Sequence, residues 1–183
     1  MSNNPDLASV LQAAHAFPQQ FQCVLLATVD AHGQPEASYA PYTRVGDAYA
    51  IYVSELSAHT SNLLHNPRCS VLFIENEADA RNIFARQRLT LQCVAHDHAR
   101  DSDTFAAAMA EFRRLHGPFM DVLAGLKDFH LFTLVPQQGG FVSGFARAYT
   151  LSGAGLGQIA HRNDKGHQAS DAPTQQRMDV LAN

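Results

Sequence analysis

The sequence predicts a mainly β protein: one six-stranded antiparallel barrel with flanking helices. Three observations carry this. The 183-residue chain is 46% apolar, enough for one real core and close to the globular average. Six β-rich runs are punctuated by Gly, Pro, Asp and Asn turn residues. Helical patterns are few and sit between some strands rather than after each one, which disfavours a doubly wound parallel sheet.

Asn4 and Pro5 read as the cap and first turn of a helix whose Leu7, Val10, Leu11 and Ala14 recur at helical spacing until Pro18. CVLLATVD, EASYAPYTR and AYAIYVS follow as a three-stranded meander with turns at AHGQ and VGD. AHTSNLLHN reads as a short helix behind Ser57, ended by Pro67, and CSVLFIE as a buried strand. ADARNIF predicts one or two helical turns and RQRLTLQCVAHDH a long strand. Ser102 caps a helix with Phe105, Met109, Phe112 and Leu115 on one face, and GPFMDVLAGL gives a second short one. DFHLFTLVP and GGFVSGFARAYTL form a hairpin with QQGG as its turn. The expected divisions are a helix over 1–20, the barrel over 21–151 and a polar tail over 152–183 that holds His161 and His167.

The formal net charge of -4 comes from 13 basic and 17 acidic residues without runs of like charge, so neither nucleic acid nor a membrane is an expected partner. Cys23, Cys69 and Cys93 are odd in number and far apart, which fits a reducing cytoplasm better than a disulfide framework. The N-terminal stretch lacks a basic leader with an apolar core, and no run approaches the ~18 residues of a membrane span. No G-x-S-x-G, P-loop, G-x-G-x-x-G or H-E-x-x-H is present, so hydrolase, NTPase and dinucleotide-fold chemistry lack support.

LLATVDAHGQPEASYAPYTR, IYVSELSAHTSNLLHNPRCSVLFIE, IFARQRLTL and FVSGFARAY occur in that order, before a tail with a Gly-His pair. This set resembles the heme-utilisation branch of the pyridoxamine 5'-phosphate oxidase-like FMN-binding split-barrel superfamily. The likeness runs from about Phe21 to His167. LATVD-x-x-G-x-P is common to the superfamily and marks only the fold; F-A-R-x-R-L-T, D-F-x-L-F-x-L and G-F-x-R-A-Y in sequence are more specific. The resemblance implies an obligate homodimer with cofactor sites at the subunit interface. Many superfamily members hold FMN there, whereas this branch binds heme through a tail histidine and opens it oxidatively, releasing iron. The implied activity is that of a heme oxygenase-like oxidoreductase supplied by an external electron donor. An FMN-dependent oxidoreductase and a non-catalytic heme carrier are the alternatives.

His167, in DKGHQ, matches the tail histidine that ligates heme iron; a neutral imidazole is a good iron donor, and Gly166 lets the backbone bend over a flat ring. On residues alone, His161 and His167 read as solvated tail; the resemblance reverses that reading for His167, and nothing in the motif requires His161. Asp128 matches an acid that supports the ligand histidine from the partner subunit, giving the imidazole partial imidazolate character. Arg88 matches an arginine near the heme, and Arg86, two residues earlier on the same strand face, could pair a propionate. Ser57, His59 and Thr60 lie where flavin members present an Arg-Lys pair to the FMN phosphate. Here that pair is Ala58-His59, so the helix start offers donors without fixed charge, which favours heme over FMN. His96 and His98 share a strand face, and His130 reads as a core-edge residue.

Overall fold

The computed structural model of the chain describes residues 6–162 and 171–182. It divides into two compact units. One comprises Met1–Gln20, Phe73–Thr90 and Gln138–Asn183, the other Phe21–Leu72 and Leu91–Gln137.

β1 (Cys23–Val29), β2 (Pro35–Val45) and β3 (Ala48–Ser54) form the antiparallel meander that the apolar alternation predicts. Asp30 shapes the first turn by accepting the backbone N–H groups of His32 and Gln34, each at 2.8 Å, while Gly33 takes a φ of 84° that glycine adopts without steric cost. α2 (Ala58–His65) follows, and Asn66 after it is already extended at φ -134°, as the residue before Pro67 must be. β4 (Arg68–Ile74), β5 (Arg88–His98) and β6 (Phe129–Gly144) complete the barrel. The strand order is β3-β2-β1-β4-β5-β6, and a β3–β6 pairing closes these six strands on themselves.

α3 (Asp103–His116) starts at Ser102, whose side chain accepts the Phe105 N–H at 3.2 Å. Its Ala108, Met109 and Phe112 pack with Met120 of α4 (Phe119–Ala124) against Ala50, Tyr52 and Leu131. Leu115, expected on the same face, is 49% exposed.

In the other unit, α1 (Leu7–Ala16) is capped by Asp6, which accepts the Ala8 N–H; Asn4 lies outside the described residues. A 3-10 turn, Phe17–Gln20, carries the chain through Pro18. ADARNIF resolves into two 3-10 turns, Glu77–Asp79 and Ile83–Ala85, the second beginning within it.

The hairpin differs from expectation. β6 runs straight through QQGG, pairing Gly139 with Leu151 and Gly140 with Thr150, and the reversal falls at Phe145 and Ala146 before β7 (Arg147–Ser152). Gly140 does not turn the chain but lies within the strand, where a Cβ would meet the Arg162 guanidinium at an ordinary contact distance of 3.7 Å. The positive φ values the turn needs come from Gly144 (155°) and Ala146 (58°). The polar tail also holds more structure than its patterning predicts. β8 (Gln158–His161) pairs with β7, Leu156 is buried, and α5 (Ala172–Ala182) starts where Asp171 accepts the Thr174 N–H at 2.8 Å.

Candidate functional site

In the unit built on Phe21–Leu72 and Leu91–Gln137, the sequence candidates converge on the corner where β3 ends. The Ser54 carbonyl accepts the Ser57 N–H at 3.1 Å and the Thr60 hydroxyl at 2.6 Å. The Ser54 hydroxyl accepts the Leu56 N–H at 3.1 Å and donates to Asp128 Oδ2 at 3.1 Å. The Glu55 N–H donates to the Asp128 carbonyl at 2.8 Å. Asp128 therefore sits half-buried with Oδ1 taking no partner among the described residues. Arg100, which the sequence does not single out, braces the approach to β6: its guanidinium donates to the Ala124, Leu126 and Phe129 carbonyls and to the Tyr52 hydroxyl.

α2 turns its polar groups inward. His59 is 5% exposed, with Nδ1 3.0 Å from Ser38 Oγ and Nε2 buried without a partner. Burial pushes its pKa down against the pull of Glu36, so the imidazole is neutral near pH 7. Asn62 donates to Thr28 Oγ1 at 3.0 Å and Glu36 Oε2 at 2.9 Å. Of the three residues expected to offer donors to a phosphate, His59 bonds Ser38, Thr60 bonds Ser54, and the Ser57 side chain makes no capping bond.

His130 bridges two acids, with Nε2 2.9 Å from Glu55 Oε1 and Nδ1 3.4 Å from Asp97 Oδ2. The hydrogen bond to Glu55 chiefly raises its pKa above 6.5, helped by Asp97 and opposed by burial. A raised folded-state pKa contributes stability that is complete below the unfolded value and disappears as pH rises through the folded one. Urea midpoints of the wild-type protein should therefore decline from about pH 6.5 upward, and the His130→Gln protein should lack that component. Parallel pH profiles for the two proteins would show that this bridge contributes nothing.

In the unit containing Phe73–Thr90 and Gln138–Asn183, Arg86 is committed to the fold. It donates to the Glu75 carbonyl through Nε at 2.8 Å and through Nη2, and pairs with Glu77 at 3.2 Å. Arg88 bonds the Arg86 carbonyl through Nη1 at 3.2 Å, and the rest of its guanidinium takes no partner among the described residues. A cleft of about 650 Å³ opens in this unit between Arg81, Ile83, Phe84, Phe145, Arg147 and Val180. That is a small-molecule volume, and Phe84 is 90% exposed within it. An exposed ring beside two arginines suits a flat apolar ligand bearing carboxylates. His161 ends β8 with its ring 4.8 Å from that of Tyr149, and both His161 Nε2 and the Tyr149 hydroxyl are buried without partners. His167 lies outside the described residues.

Other metal or thiolate chemistry finds little here. His98 bonds Thr133 at 2.7 Å, and among the described residues no three His, Cys, Asp or Glu side chains cluster to hold a metal ion. Burial pushes the Cys69 thiol up to about 12 and that of Cys93 higher still, so neither supplies a thiolate at neutral pH. No helix among the described residues is long and apolar enough to cross a membrane.

Residues 10–143 match the family model described as pyridoxamine 5'-phosphate oxidase. The chain belongs to the pyridoxamine 5'-phosphate oxidase family. Within that family it is 41% identical over 152 residues to the heme oxygenase HutZ of Vibrio cholerae, covering 83% of this chain and 86% of the relative. A crystal structure of HutZ, described there as a heme storage protein, matches with a TM-score of 0.67 and 36% identity, covering 77% of this chain and 96% of HutZ. Campylobacter jejuni ChuZ matches with a TM-score of 0.82 and 28% identity over 93% of this chain and 69% of its own. A heme-binding protein from Mycobacterium smegmatis gives a TM-score of 0.71 and 26% identity over 84% and 60%. These relatives place the chain on the heme-utilisation branch of the split-barrel family.

Proposed function

We propose that this protein binds heme as its substrate, opens the porphyrin oxidatively and so releases iron. The observation that carries the reading is the 41% identity, over most of both chains, to a protein named as a heme oxygenase. Two features of the site support it: the expected phosphate donors of α2 are turned inward or left without charge, and the cleft pairs exposed aromatic surface with arginines.

His167 is the proposed axial ligand and Asp128, through its open Oδ1, the acceptor that holds the ligand's other N–H. Arg88, with donors to spare, is the candidate to meet substrate oxygen atoms or a propionate; Arg86 instead fixes the Glu75–Gln87 turn that shapes the cleft. Bound heme supplies the oxidation chemistry once an external donor delivers electrons, and the protein supplies orientation, the ligand and a water-poor pocket. We place this activity in the cytoplasm.

The assembly we propose is a homodimer, and one face supports it. Cys23, Leu25, Ala27 and Val29 of β1 pair with Pro41, Tyr39, Ala37 and Pro35 of β2, and Leu25 and Ala27 also pair with Leu72 and Ser70 of β4. These residues carry no charge, although Leu25 is 46% and Tyr39 66% exposed, and Arg68 stands at the edge of the face, two residues before Ser70. An exposed sheet face with an uncharged centre fits a second copy of the chain.

Separate titrations with hemin and FMN test the reading. A saturable Soret shift and weak FMN binding are the expected pair; tight FMN with an unchanged hemin spectrum would establish the flavin oxidoreductase instead. The storage description of the HutZ crystal structure favours heme carriage as a second reading. Reductant and air should yield an open-chain tetrapyrrole and free iron, and recovery of intact heme would decide for carriage.

A further inference from the structure

We propose that Ser54 is a positioning residue that presents the Asp128 carboxylate as a one-sided acceptor. The inference rests on the reading that Asp128 supports the ligand histidine, and it goes further by naming what aims that acid. A serine hydroxyl has one hydrogen to give and two lone pairs to accept with. The Leu56 N–H occupies a lone pair at 3.1 Å, and the single hydrogen goes to Asp128 Oδ2, also at 3.1 Å. One carboxylate oxygen is thereby fixed, and Oδ1 is left as the acceptor for an incoming N–H.

The serine is itself held from three sides. Its carbonyl takes the Ser57 N–H and the Thr60 hydroxyl, which ties α2 to the corner. The next residue, Glu55, gives its N–H to the Asp128 carbonyl, and its carboxylate accepts from His130 Nε2. Ser57 and Thr60, candidates for a phosphate cradle by position, are thus the supports of Ser54. A group aimed in advance does not have to be ordered when its partner arrives, which is how supporting bonds raise affinity and ligand basicity.

The test has an arm without hemin and an arm with it. In hemin-free protein, Ser54→Ala should move the ¹³C resonance of the Asp128 side-chain carboxyl, Ser54→Thr should restore it, and Ser54→Cys should fall between. In the hemin complex, Ser54→Ala should weaken affinity roughly 3- to 10-fold, the value of one hydrogen bond, and lower the Fe–His stretching frequency, with Thr again restoring both. In an Asp128→Ala background the Ser54 substitution should have no further effect on either. An Asp128 resonance unmoved by Ser54→Ala overturns the assignment whether or not hemin binds. Equal losses with and without Asp128 overturn it too, by showing a merely structural role. Failure of the wild-type protein to bind hemin through His167 would sink the heme reading alone, because the hemin-free arm still reads the Ser54–Asp128 bond.

Discussion

His167→Ala is expected to abolish the saturable hemin Soret shift while leaving thermal unfolding unchanged. The loss should exceed the roughly 10- to 100-fold that removing a supporting group costs, because the iron donor itself goes. Structure sharpens this by removing substitutes. His161 Nε2 is buried against Tyr149, His59 is held by Ser38, His98 by Thr133 and His130 between Glu55 and Asp97. The Cys69 and Cys93 thiols are held protonated by burial. His161→Ala should therefore bind hemin as wild type does, and Asp128→Asn should fall within the 10- to 100-fold range, since an amide that accepts from Ser54 through its one oxygen turns its NH2, a donor, toward the incoming N–H. A His167→Ala protein with an unaltered Soret band would remove His167 from the site, and a matching loss in His161→Ala would move the ligand there.

The two histidines of HRNDKGHQASD show where sequence reading reaches and where it stops. His167 was legible because the Gly-His pair follows an ordered set of motifs, whereas His161 had no role until β8 was seen to add to β7. QIAH is too short to declare a strand by periodicity, and its pairing depends on backbone groups that any sequence carries. The meander and α3 were legible because alternation, turn residues and the Ser102 cap are local signals. QQGG misled for a local reason as well: glycine marks turns but also takes extended backbone, and only the pairing of Gly139 with Leu151 and Gly140 with Thr150 tells the two apart. Ser54 left no trace because its partner lies 74 residues away. Arg86 is expected on the strand face of Arg88, yet β5 begins only at Arg88, and the Arg86 guanidinium spends its donors on the Glu75 carbonyl and Glu77.

Leu25→Asp should convert the protein to monomers and, with His167 and Asp128 both intact, weaken hemin binding at least as much as Asp128→Asn does. Leu25 faces Tyr39 on one side and Leu72 on the other, so neither cross-strand neighbour offers a charge to pair an aspartate. An unpaired charge buried in an interface costs roughly 3 to 5 kcal/mol, and in a two-fold symmetric contact the substitution enters twice, so association at micromolar protein should be lost. Because Leu25 is 46% exposed in the single chain, the monomer itself can hydrate the new carboxylate and keep its fold. Sedimentation velocity, circular dichroism and hemin titration on the same sample then separate the links. A dimer that survives the substitution places the interface elsewhere. A folded monomer that binds hemin with the wild-type spectrum would mean that ligand and supporting acid come from one chain. A folded monomer whose hemin affinity has fallen is the result a site shared between two copies requires, because the His167 of one subunit is then parted from the Asp128 of the other.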